Sequence, residues 1–324
     1  MKLNNLNVII YKIKYIIILM KYIIILSLLI LLSILGFYYK SHDEVDFIEN
    51  FDSFSNYVLK EKPNEIYDKF YANIYTELFG SPTKDYFEIY NIKLYTIDDN
   101  TQFKKNDINI LDLGCGCGKH LEIFNKYKYN CTGLDNSMNM LEKARKITPE
   151  SKLIKGDFHN KNTFKSREFT HITCLFYSLY YSKEIKTVIN NSNFWLKPGG
   201  FLCVHLVDPK NFDPVLEKAS GLIPLYNPQK HSKTRVTKTK LKFNKFNYLA
   251  DWTFDGNNAT FEENFLFNDN SRHLQNKHSF IIKPIKHYVK NIEKLGFKLI
   301  KIIDLTPVNH DKNYIYIFKK KYGE

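Results

Sequence analysis

The chain is predicted to be an α/β protein with a doubly wound, Rossmann-like parallel sheet, and three observations carry that expectation. Short apolar runs alternate with amphipathic stretches from Ile108 to about Asp208, the mark of parallel strands covered on both faces by helices. The first run, "INILDLG", leads straight into the glycine-rich "GCGCGK" and then a helical pattern. A strand, glycine loop and helix in that order let a nucleotide-like ligand lie against bare backbone at the carboxyl edge of a sheet.

In chain order, the first element is apolar. "YIIILSLLILLSILGFYY", from Tyr22 to Tyr39, holds no charge and is long enough to cross a bilayer as a helix, so residues 1–40 are expected to be a transmembrane anchor. The following "KSHDEVDF" offers no small-residue cleavage site, which disfavours a removed signal peptide. Lys2, Lys12, Lys14 and Lys21 precede the span, which favours a cytoplasmic N-terminus and a domain on the far side. The five cysteines, Cys115, Cys117, Cys131, Cys174 and Cys203, argue the other way, because each sits in or beside an apolar run like a reduced core residue. The side of the membrane therefore stays open, and the sequons at Asn190 and Asn258 do not settle it in an Asn-rich chain.

Residues 41–64 read as an acidic linker, and 65–324 as the main domain. "EIYDKFYANIYTELFG" sets Tyr67, Phe70, Tyr71, Ile74, Tyr75 and Leu78 at helical spacing, with Gly80, Ser81 and Pro82 as a stop. Within the alternating region, "GKHLEIFNKY", "SMNMLEKARKI" and "SKEIKTVINNSNFWL" are expected helices, Ser137 capping the second. "NCTGLD", "SKLIKGDF", "THITCLFY" and "GFLCVHLVD" are expected strands. The pattern changes over about 209–283. There "TRVTKTKLKFNKFNYLADWTF" and "ATFEENFLFND" alternate polar and apolar residues around a turn at Asp255 to Asn258, as an inserted antiparallel β-meander would. The helix "PIKHYVKNIEKLGF" follows, with Gly296 to end it, and then "KLIKIIDLT" and "NYIYIFKKK" as antiparallel strands closing the sheet edge.

Composition narrows the function only a little. A net charge of +13 attracts anions, nucleic acid among them, but the lysines are scattered with Asn and Ile as in an AT-rich gene, with no compact arginine cluster. A metal site is not expected: Cys115 and Cys117 have no second Cys/His pair at ligand spacing, and their spacing is also wrong for a redox C-x-x-C.

The glycine loop reads G-x-G-x-G at Gly114, Gly116 and Gly118, which is neither the dinucleotide G-x-G-x-x-G nor a phosphate loop, since His120 follows Lys119. Corroboration comes downstream. Asp135 ends the next strand, where a carboxylate can accept ribose hydroxyls, and Asp157 with Phe158 ends the third. With "WLKPGG" at Trp195 to Gly200, the order of "ILDLGCGCG", "GLDNSMNMLEKA", "KGDF" and "ITCLFYSLYY" resembles the class I S-adenosylmethionine-dependent methyltransferases of small-molecule type over roughly Glu65 to Lys320.

The resemblance implies S-adenosyl-L-methionine as cofactor. It implies that Asp112, Gly114, Cys115, Gly116 and Gly118 hold its methionine part, Asp135 with Asn136 the ribose, Asp157 and Phe158 the adenine, and Leu175 and Phe176 the wall beneath the methyl group. It also implies that the Tyr-rich helix covers the cofactor and the meander lids the substrate. Methyl transfer chiefly needs alignment and exclusion of water, with a base only where the acceptor must shed a proton. Candidates on the substrate side are Tyr177, Tyr180, Tyr181 and His205, the histidine reading first as a hydrogen-bonded core residue and the tyrosines as pocket wall before catalyst. Trp252 and Phe254 can line a pocket or pack on the sheet, with packing the first expectation. The expected activity is methylation of an oxygen or nitrogen of a small-molecule or lipid-like acceptor. RNA or cap methylation and a non-catalytic, membrane-tethered cofactor-binding module are the alternatives.

Overall fold

A computed structural model describes residues 16–34, 54–99, 102–214 and 232–322. The chain divides into two compact units, residues 1–53 and 54–324. In the first, α1 (Ile16–Ile34) is a 19-residue helix with fully exposed apolar side chains. At a rise of ~1.5 Å per residue it spans about 28 Å, close to a bilayer's hydrocarbon core. It begins six residues before the stretch expected from the sequence and carries Lys21 within it, while residues 35–39 of that stretch lie outside the described residues.

The second unit opens with β1 (Tyr57–Lys60), so the expected linker already contains a strand. The sequence hid it because four half-exposed residues carry too short an alternation to stand out. A one-turn α2 (Pro63–Ile66) precedes α3 (Lys69–Phe79), which Asp68 caps by accepting the Tyr71 N–H at 2.9 Å. A further helix that the sequence reading passed over, α4 (Pro82–Lys93), follows directly.

The α/β alternation is as expected. It comprises β2 (Asn109–Leu113), α5 (Lys119–Lys126), β3 (Asn130–Asp135), α6 (Met138–Ile147), β4 (Lys152–Lys155), β5 (Phe169–Cys174), α7 (Ile185–Trp195) and β6 (Leu196–Val207). β4 stops at Lys155, which leaves Asp157 and Phe158 in the loop beyond it. After the meander strands β7 (Lys238–Lys242), β8 (Phe246–Asp255), β9 (Asn258–Phe267) and β10 (His273–Ile281) come α8 (Ile285–Lys294), β11 (Phe297–Asp304) and β12 (Asn313–Lys320).

The seven-stranded sheet has the order β11-β12-β6-β5-β2-β3-β4. β2 to β6 are mutually parallel, while β12 runs antiparallel to β6 and β11 antiparallel to β12, so the C-terminal strands do close the edge as expected. The chain leaves β2 toward β3 on one side and reaches β5 on the other, which puts the crevice of this switch point at the carboxyl end of β2, at the glycine loop. The second sheet, β1-β10-β9-β8-β7, takes β1 parallel on the far edge of β10. Both sheets share one apolar core in which Leu202 and Val204 of β6 belong with Tyr248, Phe261 and Phe265 of the meander.

A fragment of residues 65–324, cut where the sequence suggested, lacks β1 and bares the edge of β10. It is expected to melt several degrees below a fragment of 54–324, a difference readable by circular dichroism.

Candidate functional site

At Gly114 and Gly116 the loop after β2 has φ of +71° and +52°, a region that favours glycine. A Cβ on Gly114 would lie 2.5 Å from Ser178 Oγ, so the position admits no side chain. The loop is tied to the neighbouring strand, since the N–H groups of Gly114 and Cys115 both donate to the Leu134 carbonyl at 2.8 and 3.1 Å. Asp135, the last residue of β3, then accepts the Gly116 N–H (2.9 Å) on one carboxylate oxygen and the Ser137 N–H (2.8 Å) on the other. Burial raises its pKa although these donors favour the charge. Ser137 continues the chain of contacts, because its hydroxyl caps α6 by accepting the Met140 N–H and donates to the Tyr67 carbonyl at 2.6 Å. The Tyr-rich segment is thereby moored beside the loop.

These elements enclose a cavity of about 310 Å³. Of the residues proposed from sequence, Asp112, Gly114, Cys115, Gly116, Asp135, Asn136, Asp157, Phe158, Leu175 and Phe176 line it. Gly118 does not. Its φ of +78° starts α5, and a Cβ there would meet Thr148 and Ala144 at 2.8 and 3.0 Å, so it serves close packing against the α6 end. Asp157 holds His159, whose other ring nitrogen pairs with Ser182 Oγ at 2.8 Å.

Asp112 is 2% exposed; one of its oxygens accepts the Thr173 hydroxyl at 2.7 Å, and the other, Oδ2, has no hydrogen-bond partner among the described residues. Burial pushes its pKa up to about 6. An unpartnered carboxylate oxygen facing a cavity suits a cationic group, such as the amino group of a bound amino acid. The two cysteines are thiols: burial drives the pKa of Cys115 well up and that of Cys117 to about 11.

The sequence reading missed the far wall. Lys84, buried on α4, donates to Asp85 (2.8 Å) and Glu88 (3.0 Å), and His120 Nε2 lies 2.9 Å from Glu88. Burial opposes charge on His120, yet its bonds to Asp85 and Glu88 raise its pKa to about 10, so the ring is an imidazolium. The atoms of Asp85, Glu88 and His120 lie close enough together for a metal, but the Lys84 ammonium already sits between the two carboxylates. The i, i+4 Lys84–Glu88 spacing was the available signal, and it is too common on exposed helices to single out.

A second cavity of about 70 Å³ adjoins the first, sharing Tyr67, Tyr75, Phe79, Phe176 and Tyr181 as walls. Phe176 and Tyr177 hold φ of +46° and +64°, strained for bulky residues, at the junction of the two cavities. Tyr177 lines the second cavity and Tyr181 lines both. Tyr180 and His205 reach neither, because each is committed in the core. The Val207 N–H donates to the Tyr180 hydroxyl at 2.8 Å. His205 accepts the Tyr177 N–H and meets Asn313 Oδ1 at 3.1 Å, and burial pushes its pKa down to about 4. Trp252 does both things expected of it, stacking on Phe261 and Phe280 and walling this cavity, and its Nε1–H is buried with no partner among the described residues. His278, which the sequence did not mark, also lines this cavity, and Glu263, likewise unmarked, lies behind His278. The two meet because β9 and β10 pair antiparallel, which sets Glu263 beside Asn276, two residues from His278.

Comparison with known proteins agrees with this geometry. Residues 110–200 match the family model described as a methyltransferase domain. A curated relative, the dTDP-3-amino-3,4,6-trideoxy-alpha-D-glucopyranose N,N-dimethyltransferase of Streptomyces venezuelae, is 34% identical over 99 residues, which are 30% of this chain. The match spans 41% of that relative's length. Among solved structures, the CcbJ methyltransferase of Streptomyces caelestis superposes with a TM-score of 0.59 at 13% identity, covering 79% of this chain and 98% of that one. The S-adenosylmethionine-bound amino pentose methyltransferase CalS10 of Micromonospora echinaspora superposes with 0.53 at 18% identity, covering 73% and 92%.

Replacing Asp135 by Ala removes a charged acceptor of two loop N–H groups. It is expected to weaken S-adenosylhomocysteine binding about 10- to 100-fold by calorimetry, the effect of one or two charge-assisted hydrogen bonds. Asp112 gives a pH signature. Its folded pKa is about 6, so lowering the pH through that value protonates the partner of a cationic amino group. Affinity should fall by up to about tenfold per pH unit below 6, and Asp112→Asn should bind weakly with that dependence gone.

Proposed function

We propose, on the premise that residues 110–200 form a class I methyltransferase domain, that the protein transfers a methyl group from S-adenosylmethionine to an amine nitrogen of a small-molecule acceptor. The observation that carries the reading is the pair of joined cavities, one walled by the glycine loop, Asp112 and Asp135, the other by aromatic rings. The first fits the donor: glycine positions leave room for it, Asp135 is at the place of a ribose acceptor, and the free oxygen of Asp112 suits an ammonium. Lys84 and His120 stand on the same wall, already paired with Asp85 and Glu88. When bound, the donor supplies an activated methyl group on a sulfonium. The work left to the chain is to aim an acceptor at it and keep water out.

The second cavity suits a compact amine. Tyr67, Tyr177, Trp252 and Phe280 wall it with aromatic rings, and Glu263 is a carboxylate buried behind His278. Trp252 Nε1 and His310 Nε2 in its wall have no partner among the described residues, which supports an acceptor with further polar groups. An amino sugar meets these demands, and the named activity of the Streptomyces venezuelae relative supports that class. A lipid-like acceptor is the second reading, favoured by α1, which we read as a single-pass membrane anchor.

Labelled S-adenosylmethionine incubated with amino sugars, their hydroxyl analogues and extracted lipids tests the acceptor class. Label should enter the amino sugars alone, and transfer only to hydroxyl compounds or lipids would reject the amine. Trp252→Phe should raise the acceptor KM about 2- to 10-fold, the effect of one neutral hydrogen bond, with cofactor affinity unchanged. For α1, the full chain should stay with membranes through alkaline carbonate extraction and keep its own N-terminus on sequencing. A mature N-terminus beyond Ile34 would make the helix a cleaved signal.

A further inference from the structure

Between the two cavities runs an unbroken line of hydrogen bonds. The hydroxyls of Tyr67 and Tyr181 are 3.0 Å apart, Tyr181 Oη is 2.5 Å from His278 Nδ1, and His278 Nε2 is 2.7 Å from Glu263 Oε2. Glu263 is 0% exposed and also accepts the Tyr248 hydroxyl (2.8 Å) and the Asn276 amide (3.4 Å). We propose that Tyr67, Tyr181, His278 and Glu263 form a proton relay that removes the acceptor's proton during methyl transfer.

The direction of the line follows from donor and acceptor chemistry. A carboxylate only accepts, so His278 Nε2 carries a proton and donates to Glu263, and the relay takes the ring in that Nε2–H tautomer. Nδ1 is then a bare acceptor and takes the Tyr181 O–H, whose oxygen in turn accepts from Tyr67. The Tyr67 oxygen, on the wall of both cavities, retains acceptor capacity for an N–H or O–H of the substrate. Burial keeps both phenols protonated, so neither is a standing base, and the proton has to pass through them to the imidazole.

The inference rests on the methyltransferase reading, and its step balances. The acceptor nitrogen's lone pair forms the N–CH₃ bond as the electrons of the S–CH₃ bond return to sulfur. The acceptor's proton moves to Tyr67, the Tyr67 proton to Tyr181, and the Tyr181 proton to His278 Nδ1. The products are the methylated acceptor, the neutral thioether and an imidazolium paired with Glu263. Tyr67 is the catalytic residue by contact, and His278 and Glu263 act through it. The groups facing His278 are Tyr67 before α3, Tyr71 on α3, Tyr181 after β5 and Glu263 on β9, with Asp213 and His310 on the same cavity wall.

The test has two parts on the full-length protein in detergent. Nitrogen-15 NMR of labelled histidine, with no acceptor present, should show His278 neutral, protonated at Nε2, with a hydrogen-bonded Nδ1. Tyr181→Phe should shift the Nδ1 signal to that of a free nitrogen. With S-adenosylmethionine and benzylamine as probe, Tyr181→Phe and Glu263→Gln should each lower kcat about 100-fold near pH 7, in the range of one general base. The loss should shrink toward pH 10, with S-adenosylhomocysteine affinity within about twofold of wild type. A ring protonated at Nδ1, an Nδ1 signal unmoved in Tyr181→Phe, or kcat within twofold of wild type at every pH overturns the relay. If benzylamine is not a substrate, the NMR alone decides. Absence of S-adenosylhomocysteine binding by the wild type instead overturns the methyltransferase reading beneath it.

Discussion

The site depends on one carboxylate. Asp135 ends β3 where the sheet's carboxyl edge opens, and its two oxygens gather the N–H of Gly116 from the glycine loop and that of Ser137 from the start of α6. The geometry of the loop, the entry of α6 and, through the Ser137 hydroxyl, the backbone of Tyr67 all refer back to it. A buried carboxylate is costly unless its lone pairs are used, so the loop it satisfies is held firmly. Rigid placement of backbone against a ligand is what a cofactor cradle requires.

The second constraint is aromatic packing between the α/β layer and the meander. Phe70 and Tyr71 of α3 meet Phe265 of β9 edge-on, and Phe246 and Phe267 surround Phe70 further. Rings that pack edge to face keep definite orientations, so the meander is bound to the body of the domain along a continuous core. The second cavity lies inside that core, and its walls inherit the rigidity. The strained backbone of Phe176 and Tyr177 belongs to the same seam and turns both rings into the junction of the cavities.

Much of the fold was legible because its elements are local. Strand β3 and helix α6 were readable almost to the residue, since apolar runs and the Ser137 cap lie within a few positions of each other. Strand β1 was not, because its partner β10 is more than 200 residues away and its own four residues carry no pattern. Of the site, the loop, Asp135 and the Asp157–Phe158 pair were visible as motifs. His205 and Tyr180 sat near those motifs in sequence but turn into the core, while Tyr181, one residue on, lines both cavities. Neighbours in sequence on a tight turn point in different directions, and only packing decides which of them reaches a ligand.

The sequence by itself determined the parallel sheet, the glycine loop at its switch point and the carboxylate of Asp135 beside it, because each depends on a strand, a turn and a helix joined by short connections. The tertiary structure alone decided which groups meet around the second cavity. Glu263, His278, Tyr181 and Tyr67 come from four segments, and although Tyr67 and Tyr181 stood in readable motifs, nothing in any one segment marks its link to the others. Their chemistry arises only when two sheets and a helix close around one another and shut water out of the hydrogen bonds between them.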